Sequence, residues 1–211
     1  MSVTRRALAV VGSLAVLGCS SESELVTSPS ESAAGGREAV QAGRFVNMAS
    51  GGFKFTIPAD FNGGIFGGAV DNRLTFQAKR AADGTVTGSF NYEQTDHGTA
   101  GVPYTYKGSV TCFRVYDTPV LERFEDIPPM TQNRAKWGGP IEKTNDPTVP
   151  VGTFAWFQSI DNGEGAKSPP DLSTLFGLGD EAANEAFCDS PAVPNPRFGP
   201  HAVEQGNIQV R

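Results

Sequence analysis

The sequence predicts an all-β fold, either an antiparallel β-sandwich or a small β-barrel of about seven to nine strands. Three observations predict it. Apolar and polar residues alternate in several short stretches, which is the pattern of half-buried strands. Asp83 and Gly84 stand between two such stretches, and this pair is typical of a hairpin turn. One short helix, near residues 180–187, is the only helical segment predicted.

The most clearly predicted element is a hairpin of residues 73–79 and 86–92. Leu74 and Phe76 share one face of its first strand, and Phe90 lies on the matching face of the second. The remaining polar residues of these strands are expected to face water. The other predicted strands are residues 52–57, 102–116, 120–124, 149–160 and 206–210.

Between the strands, the sequence predicts one long irregular segment and the helix. Residues 126–148 are rich in Pro, Asn, Lys and Gly, which favours loop structure. Residues 149–160 are apolar on both faces, which predicts a central strand. Asp180 precedes the helix, where its carboxylate can accept free backbone N–H groups as a cap.

The N-terminus has the pattern of an export signal. Arg5 and Arg6 form a basic start, and residues 7–17 form an apolar run of signal-peptide length. A membrane-spanning helix needs about 20 apolar residues, so this run is too short for a stable membrane anchor. The run ends immediately before Gly18 and Cys19.

Val16, Leu17, Gly18 and Cys19 resemble the lipobox of bacterial lipoproteins. In that family, a diacylglyceryl group is attached to the cysteine thiol, the signal peptide is cut before it and the new amine is acylated. The resemblance therefore implies that residues 1–18 are removed and that Cys19 carries lipid, with palmitate-like chains. Each buried acyl CH₂ contributes roughly 0.8 kcal/mol, so several chains give a durable anchor. The alternative is an ordinary signal peptide with an unrelated cysteine.

The segment behind Cys19 is predicted to be a tether. Residues 20–43 are rich in Ser, Glu, Ala and Gly and contain no aromatic residue, so they are expected to be disordered. A flexible linker of this length has a reach of about 25–30 Å. Residues 44–211 are long enough for a single β-rich domain with its own core. Ser20 implies, by resemblance to lipoproteins of bacteria with two membranes, an outer-membrane location.

The processed chain is predicted to be acidic. The whole sequence carries a formal charge of −6, and loss of Arg5 and Arg6 with residues 1–18 lowers it by two to −8. Nucleic-acid binding needs a basic face, so no nucleic-acid partner is predicted. The charge also argues against electrostatic docking on anionic lipid, which leaves the N-terminal lipid as the predicted membrane contact. An envelope polymer or a protein is a further possible partner.

Two cysteines remain once Cys19 is assigned to lipid. Cys112 and Cys188 in an exported domain predict one disulfide bond. Closing so long a loop would contribute roughly 4–5 kcal/mol to the free energy of unfolding in the chain-entropy treatment. The alternative is a pair of buried free thiols.

Residues 52–211 also resemble a group of uncharacterised exported bacterial β-domains. The matching pieces are residues 74–79, 83–84, 108–112, 161–165 with Asp171, and 206–210. The resemblance implies an exported all-β fold. It implies no activity and no catalytic residue.

A candidate metal site lies near residues 161–171. Asp161, Asn162, Glu164 and Asp171 place several oxygen ligands close to one predicted turn, and calcium takes six to eight such oxygens. The spacing differs from the EF-hand pattern, and Asp-Asn-Gly is also ordinary turn chemistry. The sequence favours a turn, with calcium as the weaker alternative, and it predicts no other cofactor.

Catalytic signatures are weak throughout the sequence. His97 stands beside Asp96 in a predicted loop, but neither it nor His201 has a metal-ligand spacing around it. The nucleophile elbow of serine hydrolases does not occur. A glycosidase pair would have to come from Glu122, Glu125 and Asp126, which are better interpreted as a solvated strand end. No catalytic residue is therefore predicted.

Aromatic residues offer the best candidate ligand contacts. Tyr104 and Tyr106 are two residues apart and therefore share a face of their strand, where they could contact a ligand if that face is exposed. Core packing is the commoner role of strand aromatics. The leading functional prediction is a lipid-anchored envelope protein with a non-catalytic binding or structural domain. The alternatives are a surface hydrolase acting on an envelope or environmental polymer, and a small-ligand carrier.

Overall fold

The computed structural model describes residues 45–64, 67–96, 102–117, 133–165, 167–192 and 199–211, and it confirms the all-β class. The predicted signal peptide, Cys19, the tether and the predicted strand at 120–124 lie outside these residues. The elements, in chain order, are β1 (Phe45–Ile57), a 3-10 turn (Phe61–Gly63), β2 (Val70–Ala81), β3 (Val86–Asp96), β4 (Tyr104–Ser109), β5 (Cys112–Tyr116), β6 (Arg134–Thr144), β7 (Phe154–Ile160), β8 (Leu172–Ser173), β9 (Gly177–Gly179), α1 (Glu181–Asp189), β10 (His201–Ala202) and β11 (Gln205–Val210).

Antiparallel pairing joins nine of the strands into one curled sheet that forms a half-barrel. Their order is β10, β8, β7, β6, β4, β3, β2, β1, β11. Of the other two strands, β5 pairs with β6 and β9 pairs with β7. Side chains on the concave face of the curled sheet form the hydrophobic core.

A single C-terminal segment brings the two ends of the sheet together. β10 pairs with β8 at one end, whereas β11, which follows after a short link, pairs with β1 at the other. Within the link, the N–H of Val203 donates to the carbonyl of Asp171, and the N–H of Glu204 donates to the carbonyl of Lys54. The link therefore bonds first to one end of the sheet and then to the other.

The predicted hairpin is confirmed as β2 and β3, which pair along an antiparallel register from end to end. Gly84 adopts a φ of +89°, a left-handed conformation that glycine tolerates without a steric cost. The Asp83 carboxylate accepts the N–H of Thr85 at 2.8 Å, which fixes the turn. Leu74 and Tyr92 lie opposite each other, and both are fully buried.

Aromatic rings fill the concave side of the sheet. The ring of Trp137 stacks between those of Phe76 and Phe157, with centroid distances of 4.4 and 4.5 Å. The indole N–H of Trp137 donates to the hydroxyl of Ser159 at 3.1 Å, so the one polar group of this ring is satisfied. Phe176, from the link between β8 and β9, packs against the same cluster.

The expectation of an irregular segment at residues 126–148 is wrong for residues 134–144, because these residues form β6 in the middle of the sheet. Its glycines serve close packing and not a turn. A Cβ added at Gly139 would lie 2.1 Å from the carbonyl oxygen of Ser109, and one at Gly138 would lie 2.1 Å from the side-chain oxygen of Asn184. Glycine is the residue that lets neighbouring backbone or side chains approach this closely.

Two other strands differ from the predictions in extent. Residues 102–116 form two strands, because Val110 bonds to Gly88 and Thr111 bonds to Gly138 where the chain bends between β4 and β5. The first part of residues 149–160 is a turn, so β7 begins only at Phe154. β7 is central, as predicted, with β6 on one side and β8 and β9 on the other.

The predicted helix is confirmed as α1, and the carboxylate of Asp180 accepts the N–H of Ala183 at 2.8 Å. α1 packs on the convex face of β5, β6 and β7. The predicted disulfide between Cys112 and Cys188 is present and ties α1 to β5 across a Cα–Cα distance of 6.2 Å. Within the described part of the chain, no helix has the length and apolarity needed to cross a membrane.

Candidate functional site

An open groove of about 320 Å³ lies on the outer face of β1, β2 and β3. The alternation of the strands places polar side chains there, because the residues between them are buried in the core. Two rows of side chains cross the three strands. The first row is Lys54, Arg73 and Glu93; the second is Thr56, Asp71 and Thr95; Glu204 and Gln205 form a side wall.

Two carboxylates meet at one hydroxyl in this groove. The hydroxyl oxygen of Thr56 lies 3.1 Å from a carboxylate oxygen of Asp71 and 3.1 Å from one of Glu204. The backbone N–H of Thr56 donates to the second oxygen of Glu204, also at 3.1 Å. A hydroxyl has one proton to donate, so the two carboxylates compete for it. Paired carboxylates on a surface are also the groups that glycoside hydrolysis uses.

A buried, hydrogen-bonded polar pair lies at the floor of the groove. Asn72, which is 2 % exposed, donates to the carbonyl of Val70 at 2.9 Å and accepts a hydrogen bond from the hydroxyl of Tyr92. Burial raises the pKa of Tyr92 well above its ordinary value, so this hydroxyl keeps its proton. The groove therefore offers charges of both signs and hydroxyl groups, which suits a polar ligand.

The structure does not place Tyr104 and Tyr106 on an exposed face. Tyr106 is 2 % exposed, and its hydroxyl donates to the carboxylate of Asp146 at 2.6 Å. Burial, together with that carboxylate, raises the pKa of Tyr106. Tyr104 is half-buried and packs against the core. A ligand contact at these residues required an exposed face, and Tyr106 is not exposed.

The candidate calcium residues hold the end of the sheet. The carboxylate of Asp171 accepts the N–H groups of Asn162 and Ile208, at 2.9 and 2.8 Å. The carboxylate of Asp161 accepts those of Gly163 and Val210, at 2.8 and 2.9 Å. Each carboxylate thus accepts one N–H from the turn at residues 161–165 and one from the outer edge of β11. The described residues contain no group of three or more His, Cys, Asp and Glu side chains placed to hold a metal ion.

Glu164 also bonds to β11. We call the contact of Asp161, Glu164 and Asp171 with β11 the seam. The carboxylate of Glu164 accepts hydrogen bonds from the side-chain amides of Gln209 at 2.8 Å and Asn207 at 3.4 Å. Burial raises the pKa of Asp171, and the nearby charges of Asp161 and Glu164 raise it further against the opposing effect of the two backbone hydrogen bonds. The turn residues therefore have a structural use that their sequence alone did not indicate.

A buried pair of cations lies farther along the convex face of the sheet, beneath α1, and the sequence did not predict it. Arg134 and Lys136 of β6 are each 2 % exposed beneath α1. The ammonium group of Lys136 donates to the carbonyls of Phe187 and Ser190, at 3.2 and 2.7 Å. The guanidinium of Arg134 donates to the carbonyl of Pro191 at 3.2 Å. Positive charge at the C-terminal end of a helix is stabilised by the helix dipole, so these cations help to seat α1.

The buried cations Arg134 and Lys136 have only part of their hydrogen-bonding capacity filled. Burial and the charge of Arg134 lower the pKa of Lys136 to about 8, and burial lowers the pKa of Arg134. Two nitrogens of Arg134 have no hydrogen-bond partner among the described residues, nor do the side-chain amides of Gln158 and Asn184 nearby. The sequence did contain a signal for β6: polar and apolar residues alternate from Arg134 to Trp137.

His201 is half-buried and packs against the core. Its ring stacks on Phe55 at 5.6 Å and meets the edge of Phe61 at 4.8 Å. Burial lowers the pKa of His201 to about 4, so the ring is neutral near pH 7. The other candidates, His97, Glu122, Glu125 and Asp126, lie outside the described residues, as does Cys19.

No protein-family model, no curated protein and no solved structure matches this chain. The groove, the seam and the buried cations must therefore be interpreted from their own chemistry.

Proposed function

We propose that this chain is a lipid-anchored envelope protein whose β-domain is a non-catalytic module for binding or structure. The lipobox-like residues that end in Cys19 support the anchor. One structural observation carries the rest of the proposal: the concave side of the sheet is filled by stacked aromatic rings centred on Trp137. A ligand would therefore bind on the outer surface of the domain.

The groove around Thr56 is the surface best suited to such a ligand. Its side chains offer donors and acceptors of both charges, but no aromatic ring among its residues is exposed for stacking. This chemistry fits a polar, charged envelope polymer more closely than an apolar small molecule. The small-ligand carrier has less support, because a carrier needs an interior space and the described interior holds side chains.

The anchor is tested by Cys19→Ala. We expect this variant to leave the membrane fraction and to appear in the soluble envelope fraction, because the acyl chains provide nearly all the membrane affinity. Immunoblotting of the two fractions measures the change. Wild-type-like membrane association in Cys19→Ala would refute the lipid anchor.

The binding module is tested by retention on purified cell-wall polymer. Arg73→Ala removes a groove cation, whereas Gln77→Ala removes an exposed side chain from the same strand and face outside the groove. We expect Arg73→Ala to weaken retention about tenfold, the effect of losing one charged hydrogen bond. Equal retention of the two variants would exclude the groove as the binding surface.

A second candidate, a surface hydrolase acting on an envelope or environmental polymer, rests on the two carboxylates at Thr56. In that case Asp71 and Glu204 would act as the acid and the nucleophile or base. Release of new reducing ends from the polymer would reveal the activity. Asp71→Asn and Glu204→Gln would each abolish it, whereas Gln77→Ala would retain it. Retention of the polymer without any cleavage product would instead favour the non-catalytic module.

A further inference from the structure

An apolar edge is exposed where the described chain begins. Phe45, Val46 and Met48 at the start of β1 are 44 %, 55 % and 39 % exposed. They form the β1 edge, three large apolar side chains within four residues. Elsewhere in the described chain, the exposed large apolar residues stand singly: Val102, Val151 and Leu178. Clustered exposed apolar side chains are typical of a surface that contacts a partner or a membrane.

The backbone of the β1 edge extends beyond its neighbour on one side. The last bonds between β1 and the C-terminal segment join Met48 and Arg211, with both N–H to carbonyl distances at 2.8 Å. No described strand pairs with Phe45 and Val46 on that side. At these two residues β1 therefore has a described neighbouring strand on one side only, β2.

Two cations flank the β1 edge. Lys79 lies opposite Met48 on β2, and its ammonium group is 5.3 Å from the centre of the Phe45 ring. Arg211 lies on the other side of Met48 and is exposed. The net charge of the whole chain is negative, whereas Lys79 and Arg211 beside this edge are positive. Apolar side chains between cations suit an interface of acyl chains and anionic headgroups.

We infer that the β1 edge docks on the surface of the anionic phospholipid bilayer that holds the lipid anchor. This inference rests on the proposed anchor at Cys19, because the predicted tether enters the domain at this edge and at no other place. A tether of this length keeps the edge at a local concentration of about millimolar near the bilayer. An edge with only millimolar affinity is then docked about half of the time.

Fluorescence quenching in vesicles tests the docking. The mature lipidated protein is reconstituted in phosphatidylcholine vesicles that contain about one-third phosphatidylglycerol, part of it brominated on the acyl chains. Val46→Trp places a reporter on the β1 edge. We expect its added emission to shift to shorter wavelength and to be quenched by roughly half, since docked side chains reach the boundary between headgroups and acyl chains.

Matched variants separate docking from the properties of tryptophan itself. Val151→Trp places the same reporter on another exposed site, in the link between β6 and β7, and its emission should be unquenched. Adding Met48→Asp to Val46→Trp should lower the quenching about tenfold, because a carboxylate disfavours both the apolar boundary and the anionic lipid. Met48 is partly exposed, so its replacement leaves the core intact.

Each outcome decides the inference. Quenching of the added emission in Val46→Trp but not in Val151→Trp, lost with Met48→Asp, supports docking. Equal quenching in both variants, or none in either, overturns it. A wavelength shift in Val46→Trp without quenching by bromolipid means that a second copy of the chain covers the edge, which also overturns it. Failure of the anchor itself has a separate signature, since the protein would then not stay with the vesicles.

Discussion

Trp137 and Lys136 are neighbours on β6 and face opposite sides of the sheet. The concave side around Trp137 is largely apolar, and the one polar atom of the Trp137 ring is bonded to Ser159. The convex side around Lys136 buries two cations and two amides, several of whose atoms lack partners among the described residues. Burial of apolar area stabilises a fold, whereas burial of charge costs free energy unless it is fully paired. The concave side therefore carries the stability, and the convex side is held down by α1 and the disulfide.

The largest expected effect is at Trp137. Trp137→Ala should lower the free energy of unfolding by about 4–5 kcal/mol, since it empties the centre of the aromatic stack. Trp156 provides the matched control, because it lies across from Gly138 on the convex side and is only half-buried. Trp156→Ala should cost about 2 kcal/mol. Urea denaturation measures both, and equal losses would contradict the contrast between the two sides.

The next largest effect concerns the disulfide that holds α1 over the convex side. Its cysteines are 76 residues apart, so the bond should contribute about 4 kcal/mol by limiting the unfolded chain. Thermal denaturation of Cys112→Ala with Cys188→Ala measures this contribution. Reduction of the wild-type protein should reproduce the loss, and a Tm that reduction leaves unchanged would show that the bond does not stabilise the fold.

The buried ammonium of Lys136 predicts an alkaline effect. Its pKa is about 8 in the folded protein, against an ordinary value of 10.5. Between these values the unfolded chain binds more protons, so the free energy of unfolding should rise with pH, by about 2–3 kcal/mol in all. Lys136→Met should lack this rise and should be more stable at pH 7. Identical pH profiles for the two proteins would mean that Lys136 is solvated.

The smallest expected effect is an acid effect from the concave side. The pKa of His201 is lowered from 6.5 to about 4, so the unfolded chain takes up a proton first as the pH falls. The free energy of unfolding should therefore drop between about pH 6.5 and pH 4, by about 2 kcal/mol. His201→Phe preserves the ring against Phe55 and should remove this drop. Chemical denaturation at several pH values compares the two proteins.

Local patterns predicted the elements whose signal lies within their own residues. The β2–β3 hairpin follows from alternation and from Asp83 with Gly84, and both β11 and α1 follow from equally local signals. β6 was not predicted, because Gly138 and Gly139 resemble turn residues until their close contacts with other strands are known. Packing partners distant in sequence decide such glycines, and no local pattern contains them.

The candidate site was less predictable than the fold. Thr56, Asp71 and Glu204 come from three separate parts of the sequence, and only the register between β1 and β2, together with the C-terminal link, brings them together. The same is true of Asp161 and Asp171, whose sequence indicated turn chemistry with calcium as the alternative. Their contacts with β11 depend on how the sheet curls. The anchor at Cys19 and the tether stay predictions.

The contacts of Asp161 and Asp171 with β11 have a consequence for the membrane-anchored state that we propose. A strand at the end of a sheet can recruit a strand from another molecule, which is a route to aggregation. Asp161 and Asp171 occupy the outward N–H groups of Val210 and Ile208, so these donors are not offered to a neighbour. Proteins anchored side by side on one bilayer meet far more often than proteins in solution. We therefore expect these two carboxylates to disfavour strand pairing between copies of the chain at this end of the sheet.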